Sequence, residues 1–145
     1  MKPTFVLLAL LLLDSRVEAC TFKQRTDEEL VAQSQNIFRA KVTEVKLALL
    51  RDPANTTATV EVVEARYEVK EVLKGAPPSS GVVRDLPFGP GNCGLTLLPG
   101  LEYVFFPGEH DMVLAPSGSF GYFNGEGTSV APRLEAIRKF ASRKE

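Results

Sequence analysis

Between Ile37 and Val45 the chain alternates apolar and polar residues, with Phe38, Ala40 and Val42 on one face. That period of two predicts a half-buried strand. A different pattern precedes it. Thr26-Asp27-Glu28-Glu29 has the S/T-x-x-E spacing of a capping box and opens a short helix with Leu30 and Val31 on its apolar side. In such a box the threonine hydroxyl accepts from the Glu29 N–H, while the Glu29 carboxylate returns to the cap. The helix is predicted to end between Ser34 and Asn36. After a loop from Asp52 to Thr56, Thr59 to Leu73 is the longest β-prone stretch. Its alternation slips at Lys70-Glu71, which predicts a β-bulge, and Lys74-Gly75-Ala76-Pro77-Pro78 ends it. Val82-Val83 begins a short strand, and the turn-rich segment Pro87 to Asn92 leads into Cys93.

Leu101 to Phe106 reads as a buried strand after the Pro99-Gly100 turn. Met112-Val113-Leu114 is expected to pair with it across the turn Pro107 to Asp111, which carries His110 at its tip. Phe120 to Phe123 either adds a final edge or plugs an open end of a barrel. Arg133 to Lys144 reads as a terminal amphipathic helix with Leu134, Ile137 and Phe140 on one face, and Pro132 stands near its start, where a missing N–H costs nothing. The fold class expected is mainly β: a small antiparallel five-stranded barrel of the OB type, with a short N-terminal helix and a C-terminal helix. A β-sandwich is the alternative, but seven strands are hard to find.

The first nineteen residues add a different signal. Lys2 is followed by the apolar run Phe5 to Leu13, then by Asp14-Ser15-Arg16 and Val17-Glu18-Ala19. An apolar core of about nine residues suits a signal peptide and is too short for a membrane helix of ~20. Cleavage after Ala19 would leave residues 20–145 as a single secreted or periplasmic domain beginning with Cys20. A lipoprotein acylated at Cys20 is the other reading, and Glu18 and Val17 argue against it. No later segment is apolar enough to span a bilayer.

The net charge of −1 gives no reason to expect nucleic acid or an anionic membrane as partner, and a monomer is expected. Two cysteines in an exported chain read as one disulfide, Cys20 with Cys93. Closing that loop of ~73 residues would contribute roughly 4 kcal/mol on the chain-entropy account. No intrinsic metal site and no cofactor are expected, since His110 is the sole histidine and no CxxC pair exists. A solitary turn histidine and two bonded cysteines supply no nucleophile–base set, so the chain is expected not to be an enzyme. Asn55-Thr56-Thr57 spells a glycosylation acceptor in a eukaryotic secretory pathway and is otherwise a polar loop.

Three segments together resemble one family. A leader ending before Cys20, a short helix and then Phe38-Arg39-Ala40-Lys41-Val42 resembles the start of the tissue inhibitors of metalloproteinases. Tyr67 to Gly75 resembles their long strand with its Lys-Gly ending. Asn92-Cys93-Gly94-Leu95-Thr96-Leu97, followed by Glu102 to Phe105, resembles their cysteine-glycine segment and next strand. The resemblance is to the netrin-like OB-fold superfamily and covers Cys20 to Met112. It implies a Cys20–Cys93 bridge. It also implies inhibition of a zinc metalloprotease, with the α-amino and carbonyl groups of Cys20 on the target's zinc, Thr21 at the mouth of the specificity pocket, and Gly91, Asn92 and Cys93 as the supporting turn. The family's second cysteine is replaced by Phe22, and its further cysteines and C-terminal domain are absent. The alternative is a non-inhibitory module that binds another extracytoplasmic protein, with the Cys20–Cys93 bridge purely structural.

Overall fold

A computed structural model describes residues 22–52, 55–89, 91–123 and 130–143. The expected leader, Cys20 and Thr21 lie outside them. The elements run α1 (Asp27–Gln33), β1 (Ile37–Arg51), β2 (Thr59–Lys74), β3 (Ser80–Asp85), β4 (Glu102–Phe105), β5 (Phe120–Tyr122) and α2 (Val130–Ala141).

The capping box opens α1 as its spacing dictates. Thr26 Oγ1 accepts from the Glu29 N–H at 3.2 Å, and Glu29 Oε2 accepts from the Thr26 N–H at 2.8 Å. Two of the free donors at the helix start are thereby satisfied. That bonding holds the Glu29 carboxyl below its ordinary range. The helix stops at Ser34, whose N–H donates to the Leu30 carbonyl.

The five strands form one antiparallel sheet in the order β3-β2-β1-β4-β5. The long β1–β2 pairing slips three times. Lys70 is skipped between Arg39↔Glu71 and Ala40↔Val69, where the broken alternation places a bulge. Leu73 and Thr43 are skipped in the same way. Bulges raise local twist and bend a strand, and here they curl the sheet. At the β3 edge, Arg84 forms a parallel bridge with Met112 from the segment between β4 and β5, with the Val113 N–H donating to the Arg84 carbonyl at 2.9 Å. The architecture fits a small OB-like fold.

The sequence expectation is corrected at one pairing. Met112 to Leu114 does not form the partner strand of β4. Met112 accepts from the Gly108 N–H and turns to β3, and the antiparallel partner of β4 is β5, with Val104 opposite Phe120. The 3-10 turn Glu109–Asp111 sets this course, because His110 and Asp111 both take left-handed backbone angles. β1 also continues past Val45 to Arg51, where with the first residues of β2 it forms a ribbon that exposes Leu47 and Leu49. Asn55 Oδ1 closes the turn beyond it, accepting from the Thr57 N–H and hydroxyl at 3.2 and 2.7 Å.

Two apolar clusters lie on opposite faces of the sheet. The inner one gathers Phe38, Ala40, Val42, Ala65, Tyr67, Val83, Tyr103 and Phe105, with Leu97 and Val113 from the connecting segments. The outer one joins Leu30 and Val31 of α1 and Leu134 and Ile137 of α2 to Ile37, Val104 and Phe106. The unbroken apolar run Tyr103 to Phe106 thus reflects a strand buried on both faces. Arg133 ties the helices together by donating to Asp27 Oδ1, and its guanidinium lies 4.2 Å from the Phe120 ring centroid. No helix among the described residues is long and apolar enough to cross a membrane.

Candidate functional site

β3 lays Gly81, Val83 and Asp85 along the same inward row, opposite Tyr67, Ala65 and Val63 of β2. Gly81 leaves room for the Tyr67 hydroxyl, which a Cβ there would approach to 2.8 Å. Val83 fills the core. Asp85, at the end of the row, is a fully buried carboxylate. Its Oδ1 accepts from the Leu86 N–H at 2.8 Å and its Oδ2 from the Leu95 N–H at 2.7 Å. Burial pushes this carboxyl above its ordinary range, against the opposing pull of the N–H donors from Leu95, Leu86 and Thr96.

Asp85 therefore grips the segment that follows Cys93. Gly94 makes the approach possible: a Cβ there would fall 2.9 Å from the Leu86 carbonyl oxygen and 3.1 and 3.2 Å from the two Asp85 oxygens. Thr96 takes a left-handed φ of 58°. Beyond it the Tyr103 hydroxyl holds the loop from β4, donating to the Thr96 carbonyl at 3.1 Å and accepting from the Leu98 N–H at 2.9 Å. Burial raises the Tyr103 hydroxyl above its ordinary range, so it remains a neutral donor.

The residues singled out in the sequence sit in the turn just ahead. Gly91 has φ 82°, a conformation that favours glycine. The Asn92 side-chain amide donates to the Pro87 carbonyl at 2.8 Å, and its N–H donates to the Gly89 carbonyl. The Cys93 carbonyl accepts from the Ala115 N–H at 3.2 Å, and Cys93 carries no free thiol. Gly91, Asn92 and Cys93 are thus brought together on a braced loop. Phe88 lies within the same loop before Cys93, 93 % exposed, and Leu98 after it is also exposed. Phe22, the first described residue, is exposed as well.

Sequence reasoning missed Asp85 and Phe88. The dipeptide Arg84-Asp85 before Leu86-Pro87 looks like ordinary polar punctuation, and only the inward row started by Val83 marks position 85 as buried. Phe88 had a signal, an aromatic residue set among Pro87, Gly89 and Pro90, where no periodic face exists to bury it.

His110 lies on the rim of a groove of about 560 Å³ walled by Leu50, Val60, Val62, Leu86 and Met112. Its carbonyl accepts from Arg84 at 3.1 Å, and Arg84 also meets Glu64 at 3.0 Å. Among the described residues no group of three or more His, Cys, Asp or Glu side chains is placed to hold a metal ion. No protein-family model matches the chain, and a search of curated proteins returns no match.

Proposed function

We propose that the chain is an exported, non-catalytic protein that docks to a zinc metalloprotease through the Cys93 end of the barrel. The observation that carries this reading is the braced turn. Asp85, Asn92 and Ala115 hold the Cys93 region in one backbone conformation, while Phe88 and Leu98 in the same loop stay exposed. A surface fixed before binding loses less conformational freedom on association, and aromatic side chains, Phe included, are enriched at interface cores.

The resemblance to the tissue inhibitors of metalloproteinases supplies the chemistry. Signal peptidase would expose Cys20 as the first residue, bridged to Cys93. Its α-amino nitrogen and carbonyl oxygen would enter the open coordination positions of the target's zinc and displace the reactive water. The amine must be uncharged, which an ordinary α-amino pKa of about 7.7–8.0 permits near neutral pH. Thr21 would stand at the mouth of the specificity pocket.

The experiment measures inhibition of a panel of zinc metalloproteases by the mature chain, by a chain with one residue added before Cys20, and by Phe88→Ala. Inhibition lost on the extension and weakened about tenfold or more by Phe88→Ala, with both variants folded, is the expected result. Undiminished inhibition by the extended chain overturns the zinc-directed N-terminus.

Phe22 favours a second reading. It stands where the family has another cysteine and is exposed, so a single bridge would hold the N-terminal segment. In that case the bridge is structural and the same end of the barrel binds a different extracytoplasmic protein. Phe88→Ala then weakens capture of that partner while N-terminal extension has no effect.

A further inference from the structure

We propose that Asp85 is the positioning residue of the docking end: its carboxylate, reaching from β3, sets the backbone of the Cys93–Thr96 segment and so the shape the barrel presents. This rests on the reading that the Cys93 end is the docking surface. The geometry itself concerns only the described chain.

The inward row of β3 would be completed most simply by an apolar side chain, since Val83 beside it is core. A carboxylate stands there instead, fully buried, bonded to the N–H groups of Leu86 and Leu95. Burying a charge is costly and is retained where the partners it fixes matter more than the transfer energy. Those partners lie at the start and in the later part of one loop. Leu86 begins it directly after β3, and Leu95 follows Cys93-Gly94. One side chain therefore closes off the Leu86–Leu95 stretch, as a backbone pairing would in a hairpin.

Among its described residues from Leu86 to Leu98, the loop has no regular structure of its own. Between Gly94 and Leu98 its shape depends on side chains reaching in from two strands, Asp85 on one side and Tyr103 on the other. Gly94 shows that the fit is close, because a Cβ there would strike the Leu86 carbonyl and crowd both carboxylate oxygens. An asparagine at 85 would keep one acceptor and place an NH2 group against an N–H donor. The closure would then fail at one end.

The test is amide hydrogen exchange in the full mature chain, comparing Asp85→Asn and Asp85→Ala with Val83→Ala. The last removes core volume from the same strand without touching the loop's bonds. Asp85→Asn is expected to speed exchange at Leu95 at least tenfold relative to strand amides such as Val42, and Val83→Ala is expected to leave that ratio unchanged. Equal changes in the two variants would make Asp85 a general stabiliser and overturn the proposal. Where neither Asp85 variant folds, Gly94→Ala carries the test, and unaltered protection at Leu95 overturns it too. A chain that inhibits no metalloprotease but shows the expected exchange pattern refutes the target and leaves Asp85's role intact.

Discussion

Arg138 of α2 grips both carboxylate oxygens of Glu71 on β2, with Nε–Oε1 at 2.7 Å and Nη2–Oε2 at 2.8 Å. Arg39 approaches the same carboxylate at 3.3 Å and reaches Glu102 at 3.0 Å. The pair fastens the C-terminal helix to the outer face of the sheet. Arg138 first, and then Arg39, hold the Glu71 carboxyl below its ordinary range, against the opposing effect of burial.

A carboxyl whose folded pKa is depressed adds stability above its unfolded pKa and loses it as pH falls through the folded value. Glu71→Gln is therefore expected to lower stability by about 1 kcal/mol at neutral pH, since the pair is partly exposed. The gap from wild type should close as pH falls below about 4. Thermal melts of both proteins across that range check it. A pH-independent gap would mean that packing, and not charge, is what the substitution removes.

Tyr103 is the second brace of the Cys93–Leu98 loop, and its ring stacks on Phe105 with 5.7 Å between centroids. Tyr103→Phe keeps the ring and leaves the Leu98 N–H and Thr96 carbonyl without their partner. A loss of roughly 1–2 kcal/mol is expected, measured by urea denaturation. Substitution with no measurable loss would show that solvent replaces the hydroxyl at no cost.

Leu134 is buried between α2 and the sheet. Leu134→Ala should cost about 2–5 kcal/mol through lost burial and the cavity left behind. A loss below about 1 kcal/mol, the scale of an exposed substitution, would mean that α2 is only loosely docked.

Local chemistry was legible in the sequence, and contacts between distant segments were not. The Thr26–Glu29 box, the inward set Phe38, Ala40 and Val42, the bulge at Lys70 and the apolar face of α2 each follow from residues a few positions apart. The reach of β1 past Val45 was hidden, because Leu47-Ala48-Leu49-Leu50 breaks the alternation where the ribbon leaves the core. The turn of Met112 towards β3 was hidden as well, since no nearby residue encodes a partner 28 positions back. In the candidate site, Gly91, Asn92 and Cys93 could be found from the cysteine and its turn residues. Asp85 could not, because a buried aspartate and a turn aspartate look alike until the row it continues is known.

The four residues Tyr103 to Phe106 belong to both apolar clusters, the first and third facing inward and the second and fourth facing the helices. Neither layer can loosen without taking packing from the other. The helices are therefore more than a cover laid over a finished sheet: sheet and helices should melt as one cooperative unit, and a chain cut before Val130 would forfeit part of the sheet's order as well as its outer layer.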